Sequence, residues 1–293
     1  MKRINELFKP TKITLKGKSK VLLTKEGKYV VKAKNKDLKS LYDYLNVRGF
    51  TSYPKIAHEF DDNYVYDYIE EIPVPINQKC ADMANLLALL HHKTAYFKPI
   101  TVDAIRRIYE DILNNILYLE KYYDNLFNTI SLEEIMRPSY YLLIRNRSKI
   151  NANLNQLKKE VEIWLKMISS ATKVRVVYCH NHLSIDHYLK TSEDYFISWD
   201  NYCVDSPVLD LLNLYQTDYA KYDFSNFLEI YETKFPLSNE ERYLFFMMIS
   251  LPTEITFGSD EFLNTKAVND LFSYLYKTDN LIRLNNSPQN IEE

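Results

Sequence analysis

Glycine is scarce in this sequence, which has four glycines among its 293 residues, whereas a typical globular chain of that length has about 20. Loops that wrap a phosphate in backbone N–H groups need several closely spaced glycines, because side chains would block the approach. The sequence therefore excludes a glycine-rich phosphate-binding loop. Gly17 and Gly27 each fall instead in a short polar turn between two apolar segments.

Long apolar runs and paired cysteines are also missing. No window approaches the roughly 18 consecutive apolar residues that a membrane span needs, and no apolar run follows Met1. The three cysteines, Cys80, Cys179 and Cys203, match neither a disulfide framework nor a metal-binding spacing. We therefore expect a cytoplasmic protein with reduced thiols and without a membrane partner.

Neither sign of charge dominates, because 37 Lys and Arg residues oppose 39 Asp and Glu residues and leave a formal net charge of −2. Such a balance gives no overall attraction to nucleic acid, so we expect no nucleic-acid partner, and any basic patch must be local. With 46% hydrophobic residues, the chain is able to bury a substantial core in one two-lobed domain or in two small domains.

The first third of the chain has the pattern of a small antiparallel sheet. Short apolar segments separated by turns predict strands at 13–15, 21–24, 29–33, 55–59 and 64–69. An amphipathic helix is predicted over residues 37–45, between the third and fourth strands. Pro73 and Pro75 then interrupt regular structure. We place a sheet lobe over residues 1–72 and a helical lobe over residues 73–293.

The second part is predicted to be mainly helical, because apolar residues recur at steps of three and four. One such stripe comprises Ile105, Ile108, Ile112, Ile116, Leu119, Tyr123 and Leu126, and another comprises Ile150, Leu154, Leu157, Val161, Trp164 and Ile168. The Ser-x-x-Glu patterns that begin at Ser131 and Ser238 are typical of capping boxes and predict two further helix starts.

The densest group of polar side chains lies in one loop of this second part. An apolar segment over residues 176–179 leads into His180, His182, Asp186 and His187, and a second apolar segment ends at Asp200. Loops held between rigid strands often carry chemistry. This loop contains three of the six histidines of the chain within eight residues, which marks it as the candidate site.

The frame His180-x-x-Leu183, followed by Ile197-Ser198-Trp199-Asp200, resembles the H-x-D-L-x-x-x-N and I-D-[WF] segments of the aminoglycoside phosphotransferase/choline kinase family. The segment from Asp205 to Leu211 is similar to the D-P-x-x-D-L motif of that family, and Asn85 to His91 is similar to its L-A-x-L-H helix. The sequence of these motifs is most similar to the bacterial spore-coat kinase-like branch of the family. The part of this resemblance that is specific to the family runs from His180 to Asp210.

This resemblance implies an α+β, two-lobed protein-kinase-like fold, with a small antiparallel sheet lobe, a large mainly helical lobe and a catalytic-loop-like segment over residues 176–212. It also implies that Asp210 opens a helix and ties that helix to the catalytic loop by hydrogen bonds. The spore coat, suggested by the similar branch, is an alternative to a cytoplasmic location.

The same resemblance implies a role for individual residues of the site. Asp200, which stands one residue later than the family pattern places it, would be the catalytic, metal-binding Asp. His182 occupies the position of the catalytic base. Lys32, at the end of the third strand, would contact the phosphates of a nucleotide. His187 occupies the position of a metal-binding Asn, and Asp186 beside it would supply an oxygen ligand.

Three departures from the family pattern weaken the implied chemistry. His182 replaces an Asp that lends negative charge to the acceptor hydroxyl. His187 offers a nitrogen where Mg²⁺ prefers oxygen. The predicted helix contains no Glu to hold Lys32, only the shorter Asp37 and Asp43. We therefore expect a degenerate kinase-like protein, a pseudokinase, with weak or absent binding of ATP and Mg²⁺.

Two interpretations of the function stay open at this stage. The pseudokinase would serve as a binding or scaffold module for a nucleotide, an unidentified small molecule or a protein. The alternative is an ATP-dependent phosphotransferase that acts on a small hydroxylated molecule. A third pattern, H-x-H-x-D-H of zinc hydrolases, is less favoured, because three residues instead of one separate His182 from Asp186.

Overall fold

A five-stranded antiparallel sheet forms most of the small lobe in the computed structural model, which describes residues 2–286. Its strands are β1 (Lys12–Lys16), β2 (Ser19–Leu23), β3 (Lys28–Ala33), β4 (Ile56–Glu59) and β5 (Asn63–Asp67), in the spatial order β1-β2-β3-β5-β4. Helix α1 (Lys2–Phe8) precedes the sheet, and α2 (Leu38–Val47) connects β3 to β4. All five predicted strands and the predicted helix are confirmed.

The two faces of this sheet belong to different cores, because side chains alternate between faces along a strand. On the outer face, Leu22, Val31 and Val65 pack with Ile4 of α1 in a small cluster of their own. On the inner face, the neighbouring side chains face the second lobe, and Tyr66 of β5 belongs to the main core. The inner face is the one that borders the candidate site.

Helix α2 joins the two lobes. Its N-terminus is capped by Asp37, whose carboxylate accepts hydrogen bonds from the backbone N–H groups of Lys39 and Ser40. The four apolar residues of its predicted face are all buried: Leu38, Leu41, Tyr42 and Leu45. Tyr44 stacks on Tyr178 of the second lobe with ring centroids 4.2 Å apart. The helix therefore packs as part of the large core.

Residues 68–75 link the sheet to the large, mainly helical lobe. The helices of that lobe are α3 (Ile76–Thr94), α4 (Val102–Ser131), α5 (Pro138–Arg145), α6 (Arg147–Ile168), α7 (Val208–Asp218), α8 (Phe224–Lys234), α9 (Asn239–Ile249) and α10 (Glu261–Asn286). Its strands are β6 (Tyr96–Pro99), β7 (Lys173–Cys179), β8 (Tyr188–Leu189), β9 (Tyr195–Phe196) and β10 (Cys203–Asp205). Within residues 2–286, no helix is long and apolar enough to cross a membrane.

The two predicted apolar stripes lie on α4 and α6, which pack against each other. Every residue of the second stripe is buried, and so are most residues of the first. Ile108, which is 40% exposed, and the half-buried Leu126 are the exceptions in the first stripe. The predicted helical periodicity is confirmed for both segments.

One of the two predicted capping boxes is present and the other prediction is wrong. Ser238 caps α9, where its side chain accepts a hydrogen bond from the N–H of Glu241 and the Glu241 carboxylate accepts one from the N–H of Ser238. Ser131 instead ends α4, and its hydroxyl donates to the carbonyl of Phe127 one turn earlier. The apolar stripe of α4 extends the helix up to the residue that resembled a start.

Candidate functional site

The loop of the three histidines is fastened to the start of α7 by one buried carboxylate. Asp210 accepts hydrogen bonds from the backbone N–H of His180 at 2.8 Å and from that of Asn181 at 2.7 Å. The Nε2 atom of His91 lies 3.1 Å from the same carboxylate. Although burial opposes ionisation, the contacts with His91 and the loop hold the pKa of Asp210 below its ordinary value. The predicted anchoring role of Asp210 is confirmed.

The far end of the same loop is fastened by the last residue of α7. Asp218 is fully buried, and its Oδ2 atom accepts a hydrogen bond from the N–H of Ile185 at 2.6 Å. Its other oxygen lies 2.7 Å from the ammonium group of Lys221. One helix therefore positions both ends of the loop.

His180 is a structural residue in this arrangement. Its side chain is buried, its Nε2 donates a hydrogen bond to the carbonyl of Ile197 at 2.8 Å, and its ring packs on Trp199 at 4.8 Å between centroids. Burial lowers the pKa of His180 to about 4. The imidazole is therefore neutral at neutral pH and joins the loop to Ile197, the residue that follows β9.

His182 and His187 lie side by side, with ring centroids 4.6 Å apart. His182 is exposed to solvent. The Nδ1 atom of His187 lies 2.6 Å from the carbonyl oxygen of His182 and therefore carries the proton. Burial lowers the pKa of His187, and the nearby charge of Lys32 acts in the same direction, although the hydrogen bond to the His182 carbonyl opposes the shift. Its Nε2 consequently has a free lone pair, and His187 borders the interlobe cavity.

Lys32 of β3 reaches across the interface between the lobes. Its Nζ atom donates a hydrogen bond to the Ser198 hydroxyl at 2.8 Å and lies 3.5 Å from an oxygen of Asp200. The structure thus brings together Lys32 and Asp200, two of the predicted site residues. Ser198 was not among them.

Ser198 is the site residue that the sequence reasoning missed. It has a left-handed backbone, with φ of +70°, as has Asn181 with φ of +56°. Within residues 2–286, Lys9 is the one other non-glycine residue with positive φ, and such conformations concentrate at functional sites. A signal was present: when Trp199 is placed on the aromatic position of the I-D-[WF] pattern, Ser198 occupies the Asp position.

Helix α2 supplies no acid to Lys32. Asp37 is used as the N-cap and Asp43 is exposed. Helix α2 instead borders the cavity with Leu38 and Tyr42, and β5 contributes Tyr66. Burial raises the pKa of both tyrosines, so both hydroxyls are neutral. Lys32 is therefore paired with Asp200 itself.

Asp186 borders the cavity, but 81% of its side chain is exposed and one oxygen lies 3.8 Å from the ammonium of Lys221. At the inner end of the cavity the donors are the Asp200 carboxylate, the Ser198 hydroxyl and the His187 imidazole. Mg²⁺ prefers six oxygen ligands, and a lysine ammonium beside the only carboxylate of this set repels a divalent ion. The set does not fit Mg²⁺, and the metal roles of Asp200, Asp186 and His187 stay predictions.

A cavity of about 460 Å³ separates the inner face of the sheet from the loop. Its apolar part forms a slot between the two lobes, bordered by Val21, Val30, Leu189 and Ile197. One end of the cavity carries the Lys32 cluster, and the turn between β1 and β2 contributes Lys16, Gly17 and Ser19. The linker between the lobes contributes Tyr68 and Ile69. The cavity therefore combines an apolar slot with a charged inner end.

Two lobes, an interlobe cavity and a loop anchored by the first acid of a following helix define a kinase-like fold. No protein-family model matches the sequence, and no curated protein matches it. Solved structures do match. The aminoglycoside phosphotransferase from Alicyclobacillus acidocaldarius subsp. acidocaldarius DSM 446 is similar with a TM-score of 0.69 and 13% identity, over 94% of this chain and 92% of that chain.

A second similar structure is the AMP-bound complex of spectinomycin phosphotransferase, with a TM-score of 0.53 and 12% identity over 98% of this chain and 95% of that chain. The same enzyme in complex with ADP and spectinomycin gives a TM-score of 0.51. At these identities the likeness establishes the fold, and the predicted two-lobed kinase-like fold is confirmed. The nearness to the spore-coat branch stays a prediction.

Proposed function

We propose that this protein is a nucleotide-binding pseudokinase, which serves as a binding or scaffold module and does not transfer phosphate. The observation that carries the proposal is the position of Lys32, whose ammonium contacts Ser198 and Asp200 at the inner end of the interlobe cavity. A lysine at the end of the third strand is the group that contacts phosphates in kinase-like proteins.

The shape of the cavity supports a nucleotide as the ligand. The slot is bordered by apolar side chains of the sheet and of the β8–β9 region, which suits a planar ring, while the charged end suits phosphates. The structurally similar spectinomycin phosphotransferase has been solved with AMP and with ADP. We infer that a nucleotide base occupies the slot and that its phosphates lie toward Lys32.

The loss of transfer is inferred from three positions that act on the same step. An exposed imidazole at His182 lends no negative charge to an acceptor hydroxyl. Ser198 has no carboxylate, and His187 offers nitrogen in place of oxygen. Because phosphoryl transfer depends on positioning and on charge neutralisation by metal ions, losing three such groups removes the chemistry rather than slowing it.

Thermal unfolding with ATP, ADP and GTP tests the binding, because a ligand of the folded state stabilises it by RT ln(1 + [L]/Kd). We expect at least one nucleotide at millimolar concentration to raise the melting temperature. Val21→Phe fills the slot and should abolish the shift, whereas Leu23→Phe, two residues along the same strand and outside the cavity lining, should keep it.

If none of the three nucleotides raised the melting temperature, nucleotide binding would be refuted. Release of ADP, or transfer of phosphate to a small hydroxylated acceptor in a screen of sugars, amino alcohols and aminocyclitols, would refute the pseudokinase assignment. That second result would favour the phosphotransferase alternative, with His182 as the base. His182→Ala would then abolish the turnover.

A further inference from the structure

The positive charge of this protein is concentrated at its start. Residues 1–40 contain thirteen Lys and Arg residues against three Asp and Glu residues, so the rest of a chain with a net charge of −2 is strongly acidic. The overall balance hides this asymmetry. The fold places the basic segment in the small lobe, which forms one wall of the cavity.

The β1–β2 hairpin directs part of that charge into the cavity. Lys16 pairs with Ser19 at the end of the hairpin, and both residues border the cavity, as does Val21. Lys20 lies between Ser19 and Val21, so its side chain is on the opposite face of the strand. Two lysines of one hairpin therefore differ in whether they face the cavity.

Backbone N–H groups are a poor source of phosphate ligands in this hairpin. Its turn contains a single glycine, Gly17, which has a left-handed conformation with φ of +59°. Phosphate loops of other proteins bring several N–H groups to the anion with the help of multiple glycines. In this hairpin the available groups with positive charge are lysine ammonium groups instead.

The negative charge at the inner end of the cavity is already neutralised by a lysine. The Asp200 carboxylate is paired with Lys32 at 3.5 Å, and the Ser198 hydroxyl accepts a hydrogen bond from the same ammonium. A divalent cation bound to this carboxylate would lie close to the Lys32 ammonium, which repels it. A phosphate, by contrast, adds an acceptor to a lysine that has donors to spare.

From these relations we propose that the phosphates of the bound nucleotide are held by Lys16 and Lys32, which both border the cavity from the small sheet, without a divalent cation. The inference deepens the proposed function and rests on nucleotide binding in this cavity. It assigns to Lys16 a role that a glycine-rich loop and a metal ion share in active kinases.

Three consequences follow from a lysine clamp. Binding should not require a divalent ion, and Mg²⁺ should weaken it, because Mg²⁺ competes with the lysines for the same phosphate oxygens. Affinity should increase with the number of phosphates, in the order adenosine, AMP, ADP and ATP. Because the charges lie near the surface, raising the salt concentration should weaken ATP binding and leave adenosine binding unchanged.

Isothermal titration calorimetry of the full chain tests these consequences, with ATP and adenosine as probes, in EDTA and in excess Mg²⁺. We expect the Kd for ATP in EDTA to be lower than the Kd in Mg²⁺. Lys16→Gln should raise the Kd for ATP in EDTA by about five- to tenfold, the effect of losing one charge-assisted contact, and leave adenosine binding unchanged. Lys20→Gln removes the same charge from the other face of the hairpin and should change neither Kd by more than about twofold.

The outcomes separate the two proposals. ATP binding that appears only with Mg²⁺, or equal effects of Lys16→Gln and Lys20→Gln, would overturn the lysine clamp and leave nucleotide binding standing. Adenosine binding as tight as ATP binding would also overturn the clamp. If neither ATP nor adenosine bound under any condition, both the clamp and the proposed function would be wrong.

Discussion

Asp210 and Asp218 lie eight residues apart on α7 and hold opposite ends of one loop through its backbone N–H groups. Two turns of helix separate them by about 12 Å, so the helix sets the span of the loop. Both carboxylates are fully buried. The two carboxylates therefore fix the geometry of the loop from both of its ends.

Asp210→Asn should reduce the free energy of unfolding by about 3 kcal/mol, because the new amide group meets a backbone N–H that needs an acceptor. For a chain of this size, that corresponds to a melting temperature lower by roughly 5 °C. Asp205→Asn, at an exposed position five residues earlier, is the control and should change the melting temperature little. Equal melting temperatures for the two variants would contradict the anchoring role.

The stability of the protein should fall between pH 7.5 and pH 5. His180 has a folded-state pKa of about 4, whereas an unfolded His titrates near about 6.5. Below pH 6.5 the unfolded chain therefore binds a proton that the folded chain does not, and unfolding is favoured by about 2 kcal/mol at pH 5. The lowered pKa of His187 acts in the same direction.

Urea unfolding at the two pH values measures this change, and His180→Gln supplies the comparison. Glutamine can still donate to the carbonyl of Ile197 but does not titrate, so the pH dependence should shrink even though the variant is less stable at pH 7.5. An undiminished pH dependence in His180→Gln would assign the effect to other groups.

Ser198→Asp combined with His187→Asn should create Mg²⁺-dependent nucleotide binding, because the pair adds a carboxylate and an amide oxygen at the positions where the family pattern has them. Asp tolerates the left-handed conformation of residue 198 better than most residues. Calorimetry with ATP, with and without Mg²⁺, is the measurement. We expect partial recovery only, since α2 has no Glu to hold Lys32, and no response to Mg²⁺ would show that the cavity excludes the ion for another reason.

Ser238→Ala should lower the free energy of unfolding by about 1 kcal/mol, the usual contribution of an N-cap hydroxyl. Ser131→Ala is the matched control, because Ser131 has the same Ser-x-x-Glu sequence context but lies at the end of a helix. Its replacement should cost a few tenths of a kcal/mol. Chemical denaturation of both variants decides whether the capping geometry or the sequence pattern carries the stability.

Much of the fold followed from local patterns. The strands of the small sheet, the capped α2 and the buried stripe of α6 were predictable, because alternation and helical periodicity report directly on which face is buried. The role of Asp210 followed from a motif whose spacing fixes a helix start beside a loop. These features depend on residues close together in the sequence.

The site itself was less predictable, because it depends on contacts between residues far apart. Lys32 and Ser198 are 166 positions apart, and nothing local to either residue indicates their contact. A carboxylate was expected at the end of the strand, so Asp200 was chosen and the adjacent Ser198 was overlooked. The pairing of Asp186 with Lys221 likewise depends on where α7 ends.

The small cluster of Ile4, Leu22, Val31 and Val65 on the outer face of the sheet is separate from the main core. Regions with few buried contacts open without global unfolding. We therefore expect the amide hydrogens of β1 and β2 to exchange with solvent early, while those of α2 exchange late and together with the large lobe. The small lobe would then consist of two dynamic parts. The β1–β2 region would be loosely held and would open to admit a ligand, whereas helix α2 would stay packed against the large lobe.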